Sequence, residues 1–211
     1  MNRPFLSMVI PVYKIKESYL RQCLDSLREQ TVQNFEAILI DDGSPDGCGS
    51  ICDEYARNSS LFSVIHQTNK GVSEARNAGM RAAAGDWIVF IDPDDWVEKR
   101  YVEILSQAAD RTGADIIFFD YYNEFPEVSV QKCLKNTPGF LDDEWIKGLR
   151  IAPFNIFTVK NRMIRYETNT IWSKVFRAGL LREHDLWFEP EARKGQDTIF
   201  VSEILQCASS M

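Results

Sequence analysis

Residues 6–45 read LSMVIPVYKIKESYLRQCLDSLREQTVQNFEAILIDDGSP, and this stretch decides the fold. Leu6 to Tyr13 is a short apolar, β-rich run, after which Tyr19 to Glu29 carries Leu20, Cys23, Leu24 and Leu27 at helical spacing. Phe35 to Ile40 is a second strand. Asp41-Asp42-Gly43-Ser44-Pro45 closes it, with Ser44 placed to cap a helix that starts at Pro45 and continues through Ile51 to Asn58. Further along come a strand at Phe62 to Ile65, an Ala-rich helix at Ser73 to Ala84 and a strand at Trp87 to Ile91. A helix at Glu98 to Arg111 and a strand at Asp115 to Phe119 complete the series. Strands separated by helices need crossover connections, so the expectation is an α/β, Rossmann-like, mostly parallel sheet with helices on both faces. Ligands bind such sheets beyond the carboxyl ends of the strands.

The alternation stops after about Tyr121. Tyr122 to Thr137 reads as irregular, Asp142 to Leu149 as helical, and Phe154 to Trp172 shows no clear period. The second part is therefore expected to be an elaboration with a mixed sheet, dividing one domain into residues 1–120 and 121–211. Its last segment, Thr198 to Met211, is amphipathic, with Ile204 and Leu205 expected to be exposed, as in a domain cut short at its C-terminus. Trp145, Phe154, Phe157, Trp172 and Trp187 could stack on sugars, although aromatic residues at this density favour a core role.

A chain of 211 residues, 45% hydrophobic and 26% charged, is long enough for one compact domain and too apolar for a disordered one. The net charge of −7 and the lack of a basic block disfavour nucleic acid as a partner. Five scattered cysteines without a Cys-x-x-Cys pair, and only His66 and His184 as histidines, support neither a zinc site nor a disulfide framework. The N-terminus lacks a signal-peptide stretch and no run is long enough to span a membrane. The expected setting is cytoplasmic, with peripheral attachment to the inner face of the membrane left open.

The carboxylates fall where the ligand rule points. Asp41-Asp42 end the second strand and Asp92-Pro93-Asp94-Asp95 end the fourth. In extended chain Asp92 and Asp94 would project to the same side, and Pro93 would stop the strand. A hard divalent cation, Mn²⁺ or Mg²⁺, suits such oxygen ligands and commonly shares them with substrate phosphates. The plainer alternatives stay open at this level. Asp41 to Pro45 is also a good turn and helix start, and Asp94-Asp95 could cap a helix. Between these clusters, Ala75, Ala78, Gly79 and Ala82 suit close packing of a helix on the sheet. Lys70 and Arg76 stand out instead as cations that an anionic ligand would need in an acidic protein.

Pro11-Val12-Tyr13-Lys14, Asp41-Asp42-Gly43-Ser44, Lys70 to Gly79, Ala84-Gly85-Asp86 and Phe90 to Asp95, in this order and spacing, resemble the family 2 glycosyltransferases with a GT-A fold. The resemblance covers Ser7 to about Arg100, and Trp172 to Arg177 and Gly195-Gln196-Asp197-Thr198 look like the family's later Lys-containing strand and catalytic motif. It implies that Pro11, Val12, Tyr13 and Asp42, with Asp41 and Glu17 beside them, hold the nucleotide, with Lys70 and Arg76 near it. Asp92 would lie near the ribose or sugar, Asp94 would coordinate the metal with Asp95 as neighbour, and Asp197 would be the general base. Two positions depart from the family pattern: Lys14 replaces a familiar Asn, and Gln196 an acidic residue.

The implied activity is that of an inverting, metal-dependent glycosyltransferase of the hexosyltransferase type, using a nucleotide-diphosphate sugar, with UDP-sugar the first expectation. The acceptor would be a hydroxyl of a glycan or lipid-linked glycan in polysaccharide biosynthesis. A non-catalytic nucleotide-binding domain of the same fold is one alternative. A phosphotransferase with Asp92 as nucleophile is another, disfavoured by Trp96 and by the four strands that precede it. A dinucleotide-dependent oxidoreductase is excluded because no Gly-x-Gly-x-x-Gly follows the first strand.

Overall fold

A computed structural model describes residues 3–133, 139–151, 156–159, 162–165, 170–192 and 194–211. Six strands form one mixed sheet. Its parallel part comprises β1 (Leu6–Val12), β2 (Phe35–Asp41), β3 (Phe62–His66) and β4 (Trp87–Phe90). The connecting helices are α1 (Glu17–Arg28), α2 (Cys48–Asn58) and α3 (Val72–Ala82), followed by α4 (Tyr101–Thr112) and β5 (Ile116–Phe118). A hairpin of β6 (Tyr121–Phe125) and β7 (Val128–Lys132), helix α5 (Asp143–Ile151) and a second hairpin of β8 (Ile156–Val159) and β9 (Arg162–Arg165) come next. The chain ends with β10 (Lys174–Arg177), α6 (Ala178–Glu183) and α7 (Gln196–Cys207).

The expected alternation holds through the first half, and the sheet order is β3-β2-β1-β4-β10-β5. The mixing is not confined to a separate second sheet, because β10 inserts antiparallel between β4 and β5. Period-two alternation explains the two faces. Leu6, Met8, Ile10 and Val12 point into a core shared with α1, α2 and α4, whereas Val9 points into the other, shared with α3, α5, α6 and α7. Gly79 lets α3 sit directly on β1, since a Cβ there would come within 2.3 Å of Val9 Cγ1. Ala75 is buried as expected, but Ala82 is exposed and Ala83 takes the buried place.

Several local expectations are corrected. Helix α2 begins at Cys48, not Pro45. Ser44 does not cap it: its N–H donates to Asp41 Oδ1 at 2.9 Å, and the Cys48 N–H is taken by Asp46. The Tyr122 to Thr137 stretch contains the β6–β7 hairpin, whose strands lie open to solvent and so carry no buried-face pattern. Ile204 and Leu205 are not exposed, because α7 packs on α5 and buries both to 0% and 3%. Among the proposed stacking aromatics Trp145 is buried, Trp172 is half-buried edge-on to Tyr121, and Trp187 is exposed beside Arg81. Phe154 and the Phe157 side chain lie outside the described residues.

Candidate functional site

Parallel pairing sets the carboxyl ends of β1, β2 and β4 side by side, with Val12 opposite Asp41 and the Ile91 N–H donating to Val9 O. They open on a cleft of about 410 Å³. Of the residues expected from sequence, Pro11, Val12, Tyr13, Asp42, Asp92 and Asp94 line it. Ile15, Asn69, Gly71, Val72, Ala75 and Pro93 line it too, and sequence reasoning missed them as site residues. The Gly71-Val72-x-x-Ala75 spacing, a glycine and small residue opening a helix, was the available signal. A larger groove of about 550 Å³ lies between α1 and Trp96 to Lys99. None of the four carboxylates Asp42, Asp92, Asp94 and Asp197 faces it, and its Arg21 and Lys99 are already paired with Glu17, Glu54 and Glu29.

Asp42 is a structural keystone of the cleft wall. Its carboxylate, 3% exposed, accepts from Gln67 Nε2 at 2.7 Å, the Lys70 N–H at 2.9 Å and the Gly71 N–H at 2.8 Å. It therefore ties the end of β2 to the loop entering α3, where Gly71 adopts φ 88°. Asp41 turns elsewhere, to the Ser44 N–H and to His66 Nδ1 at 2.8 Å, and His66 Nε2 reaches Asp53 at 3.1 Å. Burial raises the Asp41 carboxyl, but the hydrogen bonds from His66 and Ser44 outweigh it and hold the group below its ordinary value. Bonding to Asp41 and then Asp53 raises His66 in turn. Glu17 pairs with Arg21 on the surface, and the exposed Lys70 enters the network through its backbone. Lys14, the residue after Tyr13, holds a left-handed backbone (φ 53°) with its ammonium 5.3 Å from the Tyr13 ring centre.

The expected co-projection of Asp92 and Asp94 from an extended strand is corrected. The strand ends at Phe90, and Asp92 to Asp95 form a turn closed by the Asp95 N–H to Asp92 O at 3.0 Å. The helix that Asp94 and Asp95 might have capped begins only at Tyr101. Asp94 is exposed on the cleft with no hydrogen bond or ion pair among the described residues. Asp95 lies at the surface, yet desolvation by surrounding protein, then the charges of Asp92 and Asp94, push its carboxyl up to about 6. Burial also raises Asp92, opposed by Arg76 and reinforced by Asp197 and Asp94.

Asp197 comes from far along the chain, and an aromatic cluster delivers it. Phe200 stacks on Phe188 at 3.9 Å and meets Phe90 and Phe176 edge-on at 5.9 and 6.2 Å, joining α7 to β4 and β10. Three residues before Phe200, Asp197 lies in the first turn of α7 and does not cap it, since the N-cap is Gly195 with no side-chain bond. Its Oδ1 instead accepts from Arg76 Nη1 at 2.5 Å. Arg76 Nη2 reaches Asp92 Oδ1 at 3.3 Å. Thus Arg76, 4% exposed, bridges the carboxylates and does not open on the cleft as a free cation.

This architecture defines an α/β domain of GT-A type, with its acidic strand ends converging on one cleft. Residues 7–177 match the model for glycosyl transferase family 2, and the chain belongs to that family. It is 35% identical to EpsH of Bacillus subtilis (strain 168) over 89% of this chain and 51% of that protein. It is 30% identical to the cholesterol galactosyltransferase of Borreliella burgdorferi over 98% of this chain and 56% of that protein. The structure of S. aureus TarS 1-349 in complex with UDP-GlcNAc superposes with a TM-score of 0.71 at 22% identity, covering 97% of this chain and 54% of that one. The chain spans about half the length of the curated relatives it matches. No helix among the described residues is long and apolar enough to cross a membrane.

Proposed function

We propose that the chain is an inverting, metal-dependent glycosyltransferase of the hexosyltransferase type. It transfers a sugar from a nucleotide-diphosphate donor, UDP-sugar in the first place, to a hydroxyl of a glycan or lipid-linked glycan in polysaccharide biosynthesis. The observation that carries this reading is that Asp197 is brought to the same buried guanidinium as Asp92, across 105 positions of sequence, at the edge of a cleft that Asp94 lines. Residues 1–120 then form the donor half and residues 121–211 the acceptor and base half. Solved GT-A structures with UDP-GlcNAc and, in the Pyrobaculum calidifontis mannosyltransferase PcManGT, with GDP-Man and Mn²⁺ support a nucleotide-sugar donor and a divalent ion.

The donor set fits such an ion. Asp94 is a hard oxygen ligand with no ion pair among the described residues, Asp95 beside it has none there either, and no group of three or more candidate ligands occurs among those residues. A site of one or two carboxylates is what Mg²⁺ or Mn²⁺ uses when phosphates and water complete its shell. Asp94 would hold the ion with Asp95 and Asp92 beside it, and when bound the ion would neutralise charge on the departing diphosphate. Pro11, Val12, Tyr13 and the Asp42-braced wall would enclose the nucleoside, while the exposed Lys70, Lys14 and Glu17 do not line the cleft. Asp197 Oδ2, the oxygen not bonded to Arg76, takes the proton of the acceptor hydroxyl. The acceptor oxygen bonds to the anomeric carbon as the bond to the diphosphate breaks, inverting that centre.

The test is calorimetric titration with UDP, GDP, dTDP and CDP, each with Mn²⁺ and with chelator, followed by transfer assays with sugars of the nucleotide that binds. Metal-enhanced binding of one nucleotide is expected, with the enhancement lost in Asp94→Ala. In Asp197→Asn donor affinity should be kept while turnover falls on the order of 10²- to 10⁴-fold. No binding by any nucleotide, or unchanged turnover in Asp197→Asn, would overturn the assignment.

A further inference from the structure

We propose that Arg76 is the positioning residue of the base, setting the direction of the Asp197 carboxylate and coupling it to the turn that receives the donor. This rests on the reading of Asp197 as the base. Three observations on the guanidinium lead to it. Its charged partners among the described residues are Asp197 and Asp92, contributed by α7 and by the turn after β4. Its plane is backed by Phe188, whose ring centre lies 5.1 Å from the guanidinium carbon. That ring is itself fixed, because Asn77, the residue after Arg76, brackets the Phe188 backbone with hydrogen bonds of 2.8 and 2.9 Å to its carbonyl and N–H.

Among the described residues nothing else directs Asp197. Its side chain makes no helix-capping bond and has no partner but Arg76 among the described residues, while it keeps 30% of its surface exposed. A guanidinium is a planar fork and can serve two carboxylates at once in defined directions, which a lysine ammonium cannot do. With Arg76 on Oδ1, Oδ2 alone is left for the acceptor hydroxyl, so the ion pair chooses both the reacting oxygen and its direction. Arg76 Nε is buried with no partner in the structure, so the residue is held by its two ends and its platform and not by a wider network. Misplacing a reacting group by about 1 Å can cost on the order of 10² in rate, so loss of this fork should appear in turnover.

The experiment is a double-mutant cycle on the full chain, with kcat and donor KM measured for wild type, R76K, D197N and R76K/D197N. R76K should lower kcat by on the order of 10-fold or more while donor KM changes by less than about 3-fold. In the D197N background the same change should cost less than about 2-fold, because the group it positions no longer acts. An equal loss in both backgrounds would overturn the proposal and make Arg76 a donor-binding or purely structural residue. D197N with full turnover would instead overturn the base assignment itself, a different result. Crystal structures give a check independent of turnover: in R76K the Asp197 carboxylate should leave its present direction, and an unmoved carboxylate overturns the proposal.

Discussion

Asp42→Asn is the sharpest test of how the cleft is built, because an aspartate at the end of β2 would ordinarily be read only as a nucleotide contact. In the structure its two oxygens take three donors, two of them backbone N–H groups of the loop at Lys70 and Gly71. An asparagine can keep its oxygen toward Gln67 and Lys70, but its NH₂ then faces the Gly71 N–H, donor against donor. The loss is one hydrogen bond to a charged acceptor, with the part-buried Gly71 N–H facing another donor, about 2 to 3 kcal/mol. At about 2 to 4 °C per kcal/mol for a chain of this size, the melting temperature should fall by about 4 to 12 °C.

The assay is thermal unfolding without nucleotide, so no ligand contact can contribute. Asp42→Ala, which strands all three donors, should fall further, and Gln67→Ala, which removes one donor and leaves the acceptor, should fall less than Asp42→Asn. An Asp42→Asn protein melting within about 1 °C of wild type would refute the reasoning and return Asp42 to a ligand contact alone.

Gly79→Ala should destabilise, because a methyl 2.3 Å from Val9 Cγ1 costs about 1 to 3 kcal/mol of overpacking against about 1 kcal/mol of helix propensity gained. In a Val9→Ala background the change should become neutral or stabilising, and an equal fall in both backgrounds would rule out this contact as the cause. His66 is raised above its ordinary 6.5 by Asp41 and Asp53, so its contribution is complete below that value and is lost as pH rises through the raised value, whereas that of the lowered Asp41 is lost only in acid. The melting-temperature deficit of His66→Gln should therefore be larger near pH 6 than near pH 9, and a deficit that grows with pH would contradict the sign. Lys14→Asn should raise the melting temperature by on the order of 1 °C, since asparagine tolerates the left-handed backbone better than lysine, and a lower value would show that the Tyr13 contact matters more.

The first-half strands and helices were legible because each carries its own period: Leu20, Cys23, Leu24 and Leu27 mark α1, and all four are fully buried. The acidic strand ends were legible for the same reason, since parallel pairing alone puts Asp42 and Asp92 on one edge. Arg76 stood out as a cation of the site, but its burial was not legible, because Phe188 and Asp197, which it meets, lie more than 110 positions further along. The insertion of β10 beside β4 was hidden likewise, because Lys174 to Arg177 is four residues long and its partners lie 86 to 90 positions earlier. The β6–β7 hairpin escaped for the opposite reason: apart from Tyr121 and Asn123, which are half-buried, it lies open to solvent, so no hydrophobic period forms.

The charge pattern around the cleft bears on the order in which ligands can enter. Asp92, Asp94, Asp95 and Asp197 bring four carboxylates against one buried guanidinium, and burial together with mutual repulsion already raises Asp92 and Asp95. On the proposed reading, a diphosphate arriving at this edge would meet more negative charge, since neither of the exposed cations Lys70 and Lys14 lines the cleft. The same four carboxylates would attract a divalent ion, and an ion held at Asp94 would remove the repulsion the donor otherwise meets. Metal and donor should therefore bind with positive coupling, each raising the affinity of the other by the same factor, as linkage requires. Asp197 stands apart from this exchange because Arg76 has already claimed one of its oxygens. On the proposed reading, that separation would let a single acidic edge bind a cation at Asp94 and still keep a carboxylate oxygen available for a proton.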